Sequence, residues 1–205
     1  MHTKLQAVNL MLEAIGEDPV SSLESGLDDA NSAVRILERK QKEVLAKGWQ
    51  SNSDGVQKEY QWVRDAATEV ILGDDVLRID TVGPSAYLHG RKKWDESESK
   101  YKLWDTYNAR WTWNSDPYVH VIWNQEWDEM SDALKNFIAH SAAVRLAMVE
   151  LGSIALSERL RQDESEAWNM LLDEETDNED FNILRRSSHA QRISYRPGFR
   201  STARY

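Results

Sequence analysis

The sequence predicts an α+β fold, with a four-helix body, an inserted antiparallel β-subdomain and an extended C-terminal arm. Three observations predict it. Apolar residues recur at helical spacing toward both ends of the chain, and the pattern changes between residues 49 and 130. Eight of the nine tryptophans lie between Trp49 and Trp127, among short β-rich runs separated by turn residues. After Asp180 the chain has no acid and six arginines, so its charge changes sign. The organisation that follows is a helical body over 1–48 and 131–178, a Trp-rich β-insert over 49–130 and a basic arm over 179–205.

The first helix is expected over about 3–15. Thr3 can cap it, Leu5, Val8, Met11, Leu12 and Ile15 share a face, and Gly16 then Pro19 stop it. The second runs over about 28–47. Its inner stripe is Ala30, Ala33, Val34, Leu37, Gln41, Val44 and Leu45; Asp28 and Asp29 suit its positive end, while Lys47 and Gly48 suit its close. The third, over about 131–151, is capped by Ser131 and carries Leu134, Phe137, Ile138, Ala142, Met148 and Val149 on one face. Arg145 projects from that same face. A fourth is expected over about 154–172, with Leu156, Leu160, Ala167 and Leu171 inward.

Between them the expected strands are Tyr60–Val63, Glu69–Leu72, Val76–Ile79, Tyr87–Arg91, Lys100–Trp104 and Tyr118–Trp123. Gly55, Gly73-Asp74-Asp75, Gly83-Pro84, Asp95–Ser99 and Asn114–Pro117 supply the breaks.

Composition narrows the function classes. A chain of 205 residues can bury a core without staples, and the absence of cysteine excludes disulfides and thiolate metal sites. No apolar run reaches membrane-spanning length and the N-terminus lacks a signal pattern, so a soluble chain made in a cytoplasm is expected. A net charge of −10 argues against a body that grips nucleic acid and suits a surface that nucleic acid passes.

The charge is also unevenly placed. Six of the eight residues from Asp173 to Asp180 are acidic, and the last 21 carry +6, leaving −16 for the rest. Arg185, Arg186, Arg192, Arg196, Arg200 and Arg204 are interleaved with Tyr195, Phe199 and Tyr205, and Pro197-Gly198 interrupts any helix there. Such a segment reads either as an arm for another molecule or as a solubilising tail. The acidic run lacks the ligand spacing and glycine of a calcium loop and reads as a solvated helix end.

Catalytic signals are weak. Glu126, Asp128 and Glu129 could pair carboxylates for glycoside hydrolysis, yet they precede a helix start where acids are favoured anyway. His2, His89, His120, His140 and His189 have no metal-ligand spacing, and phosphate-loop, dinucleotide and GxSxG patterns are absent. No cofactor is expected. The tryptophans could form a carbohydrate platform or a protein-binding surface, or fill small cores. Trp111-Thr112-Trp113 alternates like a strand, which would turn both indoles the same way. Arg145 needs a carboxylate if buried, either within the chain or from a neighbouring subunit, and would otherwise snorkel.

Several segments together resemble the podophage tail tubular protein A family, the head-to-tail adaptors. They are Ala7-Val8-Asn9 with Leu12, Ile15-Gly16-Glu17 and Pro19-Val20-Ser21-Ser22-Leu23, then Asp29-Ala30, Ala33, Ile36-Leu37 and Gly48-Trp49. Gly73-Asp74-Asp75-Val76-Leu77-Arg78-Ile79-Asp80, Trp94-Asp95 and Glu126-Trp127-Asp128-Glu129-Met130 follow, then Phe137-Ile138, Ala142 and Arg145. Asp180-Phe181-Asn182-Ile183-Leu184 precedes the arm. The segment from Arg91 to Trp113 departs from the family pattern.

The resemblance implies a structural virion protein of the viral tail, not an enzyme. It implies a ring homo-oligomer, a dodecamer, docked under the portal protein, holding the tail nozzle (tail tubular protein B), with genomic DNA passing through unbound and no membrane. The arm residues Arg185, Arg186, Arg192, Tyr195, Arg196, Phe199, Arg200, Arg204 and Tyr205 would then meet the portal or a neighbouring subunit. Arg145 would lie at a subunit interface, and Trp94, Trp104, Trp111 and Trp113 would face the nozzle.

Overall fold

The structure, a computed structural model, describes residues 3–24, 26–55, 60–152 and 154–178. The expected arm, 179–205, lies outside the described residues. Helix α1 (Lys4–Ile15) starts on a reciprocal cap: the Gln6 amide donates to Thr3 Oγ1 at 3.2 Å, and the Thr3 amide donates to Gln6 Oε1 at 2.8 Å. It ends at Gly16, whose φ of 87° is the left-handed cap its position called for. Asn9 then ties down the loop that follows, donating to the Val20 carbonyl and accepting from the Val20 amide.

Helix α2 (Asp28–Leu45) stops two residues short of Lys47, whose ammonium instead lies 4.7 Å from the Trp168 ring centre. Gly48 follows with φ of 80°, and a Cβ there would come within 2.7 Å of Ile122, so the turn has neither the backbone nor the space for a side chain. Helix α3 (Asp132–Glu150) begins at Ser131, whose hydroxyl accepts from the Leu134 amide. Helix α4 (Ile154–Asn178) runs six residues beyond the expected Leu172. Acids at a helix C-terminus oppose the dipole, but Glu175 accepts from the Gln50 amide across the fold and holds the last turn.

The central helix is α3, which packs against α1, α2 and α4. It therefore buries more than one stripe: Ala139, Ala143, Val144, Leu146 and Ala147 are covered as well as Leu134, Phe137, Ile138 and Ala142. The expected inward Met148 and Val149 are exposed. Trp49, Trp127 and Met130 join the helical core from outside the helices.

Among the described residues, seven short strands make two antiparallel sheets. In the first, β7 (Tyr118–Trp123) pairs with β1 (Ser53–Asp54) and β2 (Tyr60–Gln61) on one edge and with β4 (Val76–Thr81) on the other. In the second, β6 (Lys100–Trp104) lies between β3 (Ile71–Leu72) and β5 (Arg91–Asp95), with Lys93 opposite Lys102. Val70, Leu72, Val76, Ile79, Leu103, Trp113, Val119 and Val121 form a second core.

The expected strand Tyr87–Arg91 is not one. Gly83–Leu88 is a 3-10 turn, and β5 starts only at Arg91. Pro84 in its first turn, with Gly83 and His89 at positive φ, favours a tight turn over the β-propensity of Tyr87 and Leu88. The first two expected strands shrink to β2 and β3, and β1 was not anticipated.

Candidate functional site

Alternation along β5 and β6 divides their side chains between two faces. Leu103, with Val70 and Trp113, faces the second core, while Lys93, Lys102 and Trp104 face outward. On that outer face Lys102 is only 1% exposed. Its ammonium sits 2.9 Å from Asp95 and 3.0 Å from Glu98, and it also contacts Glu69. Burial by itself would lower the Lys102 pKa, but the three carboxylates outweigh it and hold the group above the usual lysine range. Hydrogen bonds from Ser97 and then Lys102 pull the Asp95 carboxyl down to about 2.

This cluster is the floor of an aromatic and cationic surface. Trp104 and Trp111 meet edge to face with ring centres 4.6 Å apart, and the Lys93 ammonium lies 4.1 Å from one ring centre and 5.3 Å from the other. On the opposite face, which it shares with Leu103, Trp94 stands 45% exposed and edge-on to Tyr101, over which Lys92 also sits. Tyr87 and Tyr107 are exposed and pair at 6.3 Å. Large aromatic faces with few rotors, set beside cations, are the chemistry of a protein-binding hot spot.

Trp113 does not belong to that surface. It is 2% exposed, and its indole N–H donates to the Leu103 carbonyl at 3.0 Å. The expectation that Trp111 and Trp113 share a side fails because the chain bends at Trp111, so strand alternation does not apply. Of the four expected nozzle-facing tryptophans, Trp94, Trp104 and Trp111 are partly or largely exposed and Trp113 fills the core.

On the helical side, Arg145 is exposed and makes no ion pair among the described residues. The expectation of a covered, apolar setting is corrected: the face is the expected one, but burial on it stops at Ala142. Met148, Val149 and Leu151 are exposed around it, at 44%, 53% and 49%. Nearby, an open groove of about 320 Å³ is lined by Lys47, Phe137, Arg161, Glu164, Ser165 and Trp168.

Glu126, Asp128 and Glu129 are exposed on a 3-10 turn, and Glu129 Oε2 accepts from the Glu126 amide, so one of the three carboxylates caps its own turn. Among the described residues no group of His, Cys, Asp or Glu could hold a metal ion, and no helix is long and apolar enough to cross a membrane. Arg185, Arg186, Arg192, Tyr195, Arg196, Phe199, Arg200, Arg204 and Tyr205 lie outside the described residues.

Sequence reasoning does not single out Lys93, Lys102 or Tyr87 as contributors. A trace of the signal was there: Lys102 follows Glu98 by four residues and alternates with Leu103 inside a strand. Only the register, which sets Lys93 opposite Lys102 and brings Glu69 alongside, shows that this lysine is covered. A family model described as tail tubular protein matches residues 5–181. No curated protein matches the chain.

Proposed function

The chain belongs to the tail tubular protein family, and from that premise we propose that it forms the adaptor ring between portal and tail nozzle. Membership itself makes it a structural component of a phage tail. The adaptor reading goes further: copies close a ring, dodecameric by resemblance, that meets the portal on one side and the nozzle on the other and lines the channel for DNA.

The observation that carries this reading is a pair of unlike exposed surfaces on different parts of the chain. The sheet presents Trp104, Trp111 and Lys93 on one face and Trp94 on the other, and the end of α3 presents Arg145 with Met148 and Val149. Two surfaces of different chemistry suit a part with different neighbours. The charge of −16 before the arginine arm suits a channel wall, because a wall without clustered cations releases no counterions and does not hold the duplex. The arm would reach the portal or the next subunit. A carbohydrate platform is less well supported, since Trp113 is in the core and the Trp104–Trp111 pair is already covered in part by Lys93.

Analytical ultracentrifugation of the purified chain, alone and mixed with its portal, tests the proposal. The chain should join a portal-sized complex, and removal of residues 185–205 should abolish or sharply weaken that joining. A chain indifferent to the portal would overturn the adaptor reading.

A further inference from the structure

Residues three and four apart lie on one side of a helix. The face of α3 that holds Ile138, Ser141 and Ala142 therefore continues through Arg145, Met148 and Val149. The first three are buried and the last three are exposed. Helix α1, one of the helices packed on α3, has 12 residues against 19. That is roughly 18 Å of axis against roughly 28 Å, so α1 cannot cover α3 along its whole length. The end left bare carries apolar side chains around a guanidinium that has no ion pair among the described residues.

A surface of complementary chemistry exists on the same chain. Asp163, Glu166, Met170, Asp173 and Asp177 repeat at helical spacing along α4, and all five are exposed. None of these four carboxylates is in an ion pair among the described residues. Like charges at this spacing repel one another and gain from a cation placed between them. Met170 lies roughly 24 Å along α4 from its start at Ile154, and Met148 roughly 3 Å from the end of α3, so one copy cannot bring these two methionines together.

We propose that the bare end of α3 in one copy docks on the acidic strip of α4 in the next. Arg145 is set among the carboxylates, and Met148 and Val149 pack against Met170. The contact joins two different surfaces, so it is heterologous and propagates from copy to copy until it closes. The proposal rests on the ring reading above and names the surfaces that would make the ring.

The absence of cysteine makes a clean test possible. In tail particles assembled from the full chain with Met148→Cys and Met170→Cys together, a short bis-maleimide should give a ladder of covalent multimers. Neither single variant should give a dimer; a dimer from Met148→Cys alone would mean a like-to-like contact and overturn the proposal. A single band from the double variant, in particles whose native mass shows a ring of copies, would overturn this contact and leave the ring standing. One copy per particle would sink both. In the free chain, Met148→Cys should label quickly with a water-soluble maleimide; slow labelling would mean that the chain's own residues cover the strip, against the proposal. Arg145→Glu should weaken ring formation by roughly 30-fold or more, and Asp173→Arg in the same chain should restore much of it. Equal assembly by all variants would remove the charge pairing.

Discussion

The helices and the sheets are held together differently. Among the helices one apolar core runs from Ala7 to Leu171. Lys135 of α3 is covered beside it and donates to the Asp128 carbonyl at 3.3 Å, while ion pairs such as Lys4 with Glu38 and Lys40 with Glu43 lie in solvent. The sheets have a smaller apolar core, and beside it they bury charge. Lys102 is enclosed by three carboxylates, and the buried Asp105 accepts from Asn108 and lies 3.6 Å from Arg110. Strands of two to six residues bring few apolar side chains each, so polar networks complete what hydrocarbon cannot. A buried ion pair need not add net stability, but once it is present, losing one partner is expensive. The sheets should therefore be sensitive to charge, and the helical core to volume.

The hardest test of that contrast is Lys102→Met, which leaves Glu69, Asp95 and Glu98 facing one another. It should cost about 3–5 kcal/mol in urea unfolding followed by tryptophan fluorescence. A loss under about 1 kcal/mol would mean that the charge cluster does not hold the sheets. Acid should act on the same place. Asp95 is depressed to about 2, so its contribution is present above the ordinary carboxylate range and disappears as pH falls through about 2. Lys102 is raised, so its contribution is present below the ordinary lysine range and disappears only above it. The fluorescence transition should weaken as pH is lowered from about 4 to 2 while helical circular dichroism persists, and Lys102→Met should reduce that acid dependence to the part that Ser97 supplies.

Trp113→Phe keeps an aromatic side chain but removes the indole donor to the Leu103 carbonyl and part of the buried volume, and should cost about 1–3 kcal/mol in the same unfolding experiment. The smallest effect belongs to the helices. Ile138→Val removes one buried methylene and should cost about 0.5–1.5 kcal/mol, with no change in pH dependence. If it cost as much as Lys102→Met, the contrast between the two regions would be wrong.

Legibility in the sequence follows the same division. The caps of α1 and α3 were readable because Thr3, Gly16 and Ser131 act on backbone groups within four residues of themselves. The 3-10 turn at Gly83–Leu88 is hard to read locally because the β-propensity of Tyr87 and Leu88 competes with the turn signal of Gly83-Pro84. The face that carries Arg145 is legible in the sequence but its exposure is not, since periodicity does not show where a neighbouring helix ends. Lys102 reads as an ordinary strand lysine until the pairing register sets Glu69 and Asp95 beside it along with the nearby Glu98.

By itself, the sequence determined the α+β class, the existence of four helices, the antiparallel insert and the reversal of charge before the last arginines. These depend on periodicity, capping and composition, which are properties of neighbouring residues. Tertiary structure alone decided that Trp113 is core while Trp104 and Trp111 form a surface, that Lys102 is enclosed, and that Arg145, Met148 and Val149 are left bare. Each of those outcomes turns on strand register or on the relative lengths of packed helices. Both arise from contacts between residues far apart in the chain, which no local pattern encodes.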